Sequence, residues 1–254
     1  MTENPQNTGF INYNIKDSVL HLEFGHPLGN SLPSNLLSGL KNSITTASTD
    51  DSIKVILLKS SGNSFCGGAS FNELVKIDNL EDATEFFMGF ANLMLAIKEC
   101  PKPVVAKVHG KSVGGGLGII AASDWAIGTE KSSIRLSEIS IGIGPFTIGP
   151  VLVRKIGVGN FQRLSLSADW IDSNWGLNSG LFQEICNSDA LETVTESRIE
   201  HFKKLDPISF AENKKLMWSF SDITEDSLRV KASNVSKLLL NQNTQSILKS
   251  LTSK

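Results

Sequence analysis

The sequence predicts an α/β fold in which parallel strands alternate with helices. Two short apolar runs, Ile53–Lys59 and Pro103–Val108, are rich in β-branched residues and have the composition of buried central strands. Each run is followed by a glycine-rich segment and then by apolar residues at helical spacing. This repeated order of strand, turn and helix favours a parallel sheet whose ligands bind at the carboxyl ends of the strands.

The elements around the first central strand follow from the spacing of apolar residues. Phe10–Ile15 and Val19–Phe24 flank a short polar turn and predict a hairpin. Apolar residues at helical spacing predict three helices, over Pro33–Ala47, Phe71–Ile77 and Glu81–Cys100. Pro33 suits the first turn of the first of these helices.

The second half of the chain changes character after residue 190. Up to that point we predict a buried helix over Leu117–Ala122 and two short strands over Asp124–Gly128 and Ile134–Leu136. Three helices, over Arg154–Gly157, Phe161–Ala168 and Ser173–Gly180, and a last strand over Leu181–Ile185 complete this part of the chain. From Asp189 to Lys254 the pattern is helical throughout, with breaks at Pro207 and around Ser219–Ser221. We therefore predict a core over residues 1–190 and a helical region over residues 191–254 that serves oligomerisation or acts as a lid.

Composition excludes several classes of function. The 254 residues carry a net charge of −2, so no basic surface for nucleic acid is expected. The N-terminal segment is polar and lacks the pattern of a secretory signal, and no apolar run is long enough to span a membrane. The three cysteines are widely spaced and the four histidines are scattered, which argues against disulfides and metal sites. We expect a cytoplasmic protein that binds no metal.

The segment from Lys107 to Ser123 contains the most informative turn, formed by Gly114, Gly115 and Gly116. Glycines let a backbone approach a ligand closely, and the first N–H groups of the following helix have no partner within it. Such a turn can hold a developing negative charge, although it is equally compatible with a tight turn before a core helix. A second glycine-rich loop, Ser60–Ser70, also follows a predicted strand. Two N–H groups from neighbouring loops would form an oxyanion hole, whereas neither loop fits a nucleotide-phosphate motif.

Three blocks of residues resemble the crotonase superfamily, the enoyl-CoA hydratase/isomerase group. They are Phe65–Ser70, Pro101–Ala106 continuing to the three glycines, and Leu136–Glu138 followed by Gly142, Pro145 and Gly149. The resemblance implies a crotonase-like spiral of ββα units with a helical C-terminal region. It also implies an acyl-CoA thioester substrate, with coenzyme A as part of the substrate and no permanently bound cofactor. A homotrimer or a dimer of trimers is implied as well.

The resemblance also assigns roles to individual residues. The N–H groups of Ala69 and Gly115 match the oxyanion hole, and Cys66, Gly67 and Gly68 match the loop that lines coenzyme A. Phe71 matches an apolar position that contacts the acyl group or coenzyme A. Ser70 stands where the family usually has Asp. The acyl pocket is expected to draw on the helices between Phe71 and Phe90 and on Phe146.

The carboxylates suggest which reaction is catalysed. Family hydratases use two glutamates; one matches Glu138, and the other matches Gly118, which cannot serve. One glutamate suffices to move a double bond, because it removes a proton from one carbon and returns it to another. We therefore predict an enoyl-CoA isomerase with Glu138 as the acid and base.

Four other interpretations stay open at this stage. One is an enoyl-CoA hydratase that positions water by other groups, for example in the Gly142–Thr147 loop. A second is a subunit that binds acyl-CoA without catalysis. A third is an enzyme that uses the same oxyanion hole for decarboxylation, thioester hydrolysis or ring cleavage. Finally, Glu138 by itself is compatible with a surface ion pair near Arg135.

Overall fold

The computed structural model describes residues 9–252, so the predicted polar N-terminal segment lies almost wholly outside the described residues. The largest sheet has six strands, in the spatial order β1 (Phe10–Lys16), β2 (Val19–Gly25), β4 (Val55–Ser60), β7 (Val104–Val108), β9 (Trp125–Thr129) and β12 (Glu184–Cys186). Its antiparallel hairpin pairs Phe10 with Gly25 and Lys16 with Val19, and the other neighbours are parallel. The predicted hairpin and parallel sheet are confirmed.

Two smaller sheets lie beside the large one and carry the glycine-rich loops. One has four strands, in the spatial order β11 (Ile171–Asp172), β10 (Ser133–Arg135), β8 (Lys111–Val113) and β5 (Ser64–Cys66). The other pairs β3 (Ser31–Leu32) with β6 (Gly68–Ala69).

Helices surround the sheets and form the whole C-terminal region. They are α1 Ser34–Thr49, α2 Phe71–Leu74, α3 Leu80–Glu99, α4 Gly115–Ala122, α5 Gly149–Ser167, α6 Ser173–Asn178, α7 Leu191–Lys203, α8 Pro207–Ser219, α9 Glu225–Leu239 and α10 Gln242–Thr252, with short 3-10 helices at Glu138–Ile141 and Ser188–Ala190. None of the helices in residues 9–252 is long and apolar enough to cross a membrane.

The central helix of the core is α3. Its N-cap, Asn79, accepts a hydrogen bond from the Asp82 N–H. Glu81 and Asp82 lie in the first turn, where their negative charges stabilise the helix by interacting with the positive end of its dipole. Its apolar side chains pack against α1, α4 and α9. One hydrophobic core therefore joins the sheets to the C-terminal helices, which contribute Trp218, Leu228, Val235, Leu239 and Leu248.

The structure differs from the sequence-based expectations at several places. The predicted Ser60–Ser70 loop contains the short strands β5 and β6, and the strand predicted over Leu181–Ile185 spans Glu184–Cys186. The glycine turn follows β8 rather than Pro103–Val108, because Lys111–Val113 forms a short parallel strand between β5 and β10. The helix predicted over Phe71–Ile77 ends at Leu74. The two helices predicted between residues 154 and 168 belong to α5, which is kinked at Gly157, where φ is 76°.

Candidate active site

A mostly apolar pocket opens where β6, β8 and the 3-10 helix that begins at Glu138 meet. Backbone from Gly67 to Ala69 and from Val113 to Gly115 forms one wall. The apolar side chains of the pocket come from α2, α3, the 3-10 helix and the loop before α5, and include Leu74, Phe87, Phe90, Ile141, Ile143 and Ile148. Val235 of α9 also lines the pocket, so the C-terminal helices complete its wall.

The two glycine-rich loops approach each other closely at this pocket. Gly68 has φ +86°, and a Cβ there would lie 2.9 Å from the Val113 carbonyl oxygen and 3.7 Å from the Gly115 nitrogen. Only glycine combines that backbone conformation with that approach. Ala69, the next residue, therefore lies beside the turn that carries Gly115, as the sequence predicts.

Gly115 is the first residue of α4, so its N–H has no acceptor within the helix and lies at the positive end of the helix dipole. The turn before it is fixed, because the Gly114 N–H donates to the Arg135 carbonyl at 3.0 Å. Gly114 has φ +52° and accommodates a turn that other residues would strain. The Phe90 ring packs directly against the Cα of Gly115 and leaves no room for a side chain there.

Glu138 places its carboxylate against the Gly114 turn. A Cβ on Gly114 would lie 2.9 Å from Glu138 Oε1. Glu138 Oε2 is shielded from solvent and has no hydrogen-bond partner in the described part of the chain. Burial raises the pKa of Glu138 to about 7, although hydrogen bonds with the backbone of Glu138 and Ser137 act in the opposite direction. A carboxyl group with such a pKa can both accept and donate a proton near neutral pH.

The interpretation of Glu138 as a surface ion-pair partner is wrong. Arg135 instead donates from Nε to the Ala168 carbonyl at 2.6 Å and lies over the Trp170 ring. Asp124 also lies away from the pocket. Its Oδ2 accepts a hydrogen bond from the Val104 N–H and forms an ion pair with Lys214. Among the described residues that line the pocket, Glu138 is the only acid.

Gly118, the position of the missing glutamate, is filled by its neighbours. A Cβ there would lie 2.8 Å from Ile148 Cγ2 and 2.9 Å from Met94 Sδ. Contacts this short force neighbours to move. The absence of a second carboxylate is therefore accompanied by apolar packing that takes the space of its side chain.

The predicted lining residues divide into two groups. Gly67, Gly68 and Phe71 line the pocket, and so does Phe146. Cys66 does not: it is fully buried and its side chain packs against Gly116. Burial raises the pKa of its thiol to about 12, so the thiol stays protonated.

Asn30 supports the first loop in a way that the sequence did not reveal. Its side chain accepts from the His26 N–H at 2.7 Å and donates to the Ser61 and Ser64 carbonyls at 2.6 and 2.7 Å. Its carbonyl accepts the Gly67 N–H at 3.1 Å. Asn30 thus holds the segments that precede Ala69 in contact with one another through hydrogen bonds. Its φ is +60°, a conformation that asparagine tolerates and that cannot be read from the sequence.

Thr147 is a second polar residue of the pocket wall that carried no individual signal in the sequence. It is only 4% exposed, and its hydroxyl has no hydrogen-bond partner within residues 9–252. No group of three or more histidine, cysteine or acidic residues in that range is arranged to hold a metal ion. The polar chemistry of the pocket therefore comes from backbone N–H groups, Glu138, Ser137 and Thr147.

The architecture around this pocket is the crotonase fold. The crystal structure of enoyl-CoA hydratase from Bacillus halodurans matches with a TM-score of 0.87 at 22% identity, covering 95% of this chain and 99% of that one. The family model described as enoyl-CoA hydratase/isomerase matches residues 14–253. The chain therefore belongs to the enoyl-CoA hydratase/isomerase family.

Two curated relatives carry different activities in their names. Trans-2-decenoyl-[acyl-carrier-protein] isomerase of Streptococcus mutans is 24% identical over 216 residues, covering 83% of this chain and 82% of that protein. Enoyl-CoA hydratase AKT6-1 of Alternaria alternata is 30% identical over 191 residues, covering 75% of this chain and 61% of that longer protein. These relatives place both double-bond isomerisation and hydration within the range of the family.

Proposed function

We propose that the protein moves the double bond of a 3-enoyl-CoA to give a 2-enoyl-CoA, with Glu138 as the sole acid and base. The observation that carries this proposal is the closed packing around Gly118, where Ile148 and Met94 occupy the space of a second carboxylate. Hydration of a double bond by the family's route needs a water held by two groups, one of which gives a proton to carbon. Isomerisation needs one group that moves a proton between two carbons.

Glu138 alone can carry out both proton transfers of the reaction. The ionised carboxylate takes a proton from C2 of the 3-enoyl thioester, and the electron pair of that C–H bond spreads over C2, C3, C4 and the thioester oxygen. The carboxyl group then returns the proton to C4, and the double bond is left between C2 and C3. A carboxyl pKa near 7 suits both halves of this exchange.

The N–H groups of Ala69 and Gly115 are assigned to the thioester oxygen on which negative charge develops. Support comes from the contact between the Gly68 and Gly115 loops and from the position of Gly115 at the start of α4. Donors that are fixed before the reaction lower the barrier because they need not reorganise as charge develops. A single pocket thus contains a proton carrier and a charge-stabilising pair.

Hydration is the second candidate, and several relatives are named hydratases. The two reactions give different products from matched substrates. Purified full-length protein should be incubated with 3-hexenoyl-CoA and, separately, with 2-hexenoyl-CoA in deuterated water, with products separated by chromatography and identified by mass. We expect 2-hexenoyl-CoA from the first substrate and little 3-hydroxyhexanoyl-CoA from either.

Glu138→Gln tests the assigned residue, and Glu130→Gln is its matched control. Glu130 is an exposed acid whose carboxylate bonds Ser188 outside the pocket. We expect Glu138→Gln to lower kcat by about 10²–10⁴-fold while Glu130→Gln keeps wild-type turnover. Rapid formation of 3-hydroxyhexanoyl-CoA by the wild type would overturn the isomerase assignment. Acyl-CoA binding without turnover or deuterium uptake would instead indicate a silent binding subunit.

A further inference from the structure

The buried hydroxyl of Thr147 remains unexplained by the proposed isomerisation. It lies on the loop between the 3-10 helix and α5, in a pocket wall that is otherwise dominated by apolar side chains. Only two other buried polar side-chain atoms in the described chain lack a partner, Ser112 Oγ and Glu138 Oε2. Glu138 and Thr147 line the same pocket, whereas Ser112 does not.

An unsatisfied buried hydroxyl is costly. Leaving a buried donor or acceptor without a partner costs about 1–3 kcal/mol relative to satisfying it. The chain could avoid that cost with valine, which has nearly the same shape. A substrate oxygen that hydrogen-bonds the Thr147 hydroxyl would remove this free-energy cost. A site that hydrogen-bonds a substrate oxygen also discriminates strongly against substrates without that oxygen.

The Thr147 hydroxyl has no partner among the described residues, so it is not hydrogen-bonded to the carboxyl group that moves the proton. Its neighbours Phe146 and Ile148 also line the pocket, and such an apolar wall suits an acyl chain. The proposed reaction assigns the thioester oxygen to the N–H groups of Ala69 and Gly115, and an unsubstituted 3-enoyl chain carries no other oxygen. An acyl-chain oxygen that bonds Thr147 is therefore an additional one, on a carbon other than C2, C3 and C4 that take part in the reaction.

We propose that Thr147 is a specificity-determining residue that selects acyl chains carrying a hydroxyl or keto oxygen beyond C4. This inference rests on the proposed function, because C2, C3 and C4 are the carbons that react there. The Thr147 hydroxyl donates to a keto oxygen, or donates to and accepts from a hydroxyl group. The substrate class is then an oxygenated 3-enoyl-CoA rather than a plain fatty acyl thioester.

Binding of saturated thioesters tests the inference without any turnover. The probes are hexanoyl-CoA, 5-hydroxyhexanoyl-CoA, 6-hydroxyhexanoyl-CoA and 5-oxohexanoyl-CoA, titrated calorimetrically into the full-length protein. We expect at least one oxygenated probe to bind about 10–100-fold more tightly than hexanoyl-CoA. Thr147→Val should reduce that ratio to near one.

Thr195→Val is the matched control, because Thr195 is also fully buried but donates to the Leu191 carbonyl within α7, outside the pocket. It should keep the wild-type ratio. Equal binding of all four probes by the wild type, or a preference that survives Thr147→Val, would overturn the inference.

The same variant distinguishes this inference from the proposed reaction. Isomerisation of 3-hexenoyl-CoA with no preference among the saturated probes would retain the proposed function and refute the role of Thr147. A Thr147-dependent preference without isomerisation would retain that role and refute the reaction. If the wild type hydrates 2-hexenoyl-CoA and Thr147→Val abolishes hydration, Thr147 holds a water and both proposals fail.

Discussion

Glu138 combines burial, a carboxylate oxygen without a hydrogen-bond partner among the described residues, and a position against the glycine turn. Its pKa of about 7 is caused mainly by burial, so the ionised fraction of the carboxyl group changes most around neutral pH. The proposed reaction starts from the ionised form. We therefore expect kcat/KM for 3-hexenoyl-CoA to rise with pH and to level off above an apparent pKa near 7.

The measurement is a pH–rate profile between about pH 5 and pH 9, since kcat/KM reports ionisations of the free enzyme. Residual activity of Glu138→Gln should lack the same inflection. A wild-type profile that is flat across this range would show that ionisation of Glu138 does not limit the reaction.

Burial of Glu138 also predicts a loss of stability at alkaline pH. The carboxyl pKa is raised from 4.5 to about 7 in the fold, so the folded chain binds this proton more tightly than the unfolded chain. The resulting stabilisation is fully present below about pH 4.5 and is lost as pH rises through 7. Glu138→Gln, which cannot ionise, should exceed the wild type in free energy of unfolding by up to about 3 kcal/mol at pH 8.

Urea unfolding at pH 5 and at pH 8 measures this difference. The gap between Glu138→Gln and the wild type should widen from the lower to the higher pH. Glu130→Gln should show no such widening, because its carboxylate is exposed. A constant gap at both pH values would contradict a buried carboxyl group with a raised pKa.

The main candidate residues were accessible from sequence because three blocks occur in a recognisable order. That order identifies Glu138, Ala69 and Gly115, and the structure brings all three to one pocket. Thr147 was not accessible, since one threonine among loop residues has no pattern and only its unmatched hydroxyl distinguishes it. Sequence also could not show that Met94 of α3 and Ile148 fill the Gly118 position, because those contacts join distant parts of the chain.

At the level of elements, the contact between α4 and the Ile148 loop is a packing constraint. Gly118→Ala would place a methyl group 2.8 Å from Ile148 Cγ2 and 2.9 Å from Met94 Sδ. Overpacking of this kind costs about 1–3 kcal/mol, whereas alanine in place of glycine inside a helix ordinarily gains about 0.5–1 kcal/mol. We expect a net decrease in the free energy of unfolding, measured by urea denaturation.

Gly159→Ala is the matched control for Gly118→Ala. Gly159 lies within α5 at a position where an added Cβ would meet no atom of residues 9–252 within 4 Å, so alanine should be neutral or stabilising there. If Gly118→Ala were as stable as Gly159→Ala, the position would have room for a side chain. Packing around Gly118 would then not exclude a second carboxylate at this position.

The predicted elements were most accurate where patterns were long. The twenty-residue helix α3 begins and ends within one residue of its predicted bounds, because its apolar face repeats over many turns. The three-residue strand β8 was missed, because Lys111–Val113 has no alternation long enough to detect and is fixed by pairing with β5 and β10. The glycine turn that organises the site thus starts from a strand that tertiary pairing creates.

At the scale of the molecule, the C-terminal helices are fastened to the core rather than appended to it. Lys214 of α8, only 1% exposed, makes an ion pair of 2.7 Å with Asp124, which also accepts a hydrogen bond from the N–H of Val104, the first residue of β7. Removing one partner of a buried pair is costly because the other charge is left unmatched. Together with Val235 in the pocket wall, this pair shows that the predicted boundary at residue 190 does not divide the site from the helical region.

The outer surface of the same region predicts self-association. Ile208 and Phe220, in α8 and at its end, are 73% and 79% exposed, and Leu216 and Met217 between them are also exposed. Exposed apolar patches on soluble proteins commonly mark interaction sites. We therefore expect the full-length chain to self-associate through this surface, in the three or six copies that the family resemblance implies, and Phe220→Asp to shift it toward single chains.

Sedimentation velocity at about 10 µM, where interfaces with micromolar or tighter dissociation constants are populated, measures the distribution of species. Tyr13→Asp is the matched control, because Tyr13 is 72% exposed on β1 and lies outside the helical region. If Tyr13→Asp dissociates the assembly and Phe220→Asp does not, the interface lies on the hairpin side instead. A wild type that sediments as single chains would contradict an oligomerisation role for residues 191–254.

Retained isomerase activity in a monomeric Phe220→Asp variant would further indicate that one chain supplies the whole site, because Val235 of the same chain completes the pocket wall.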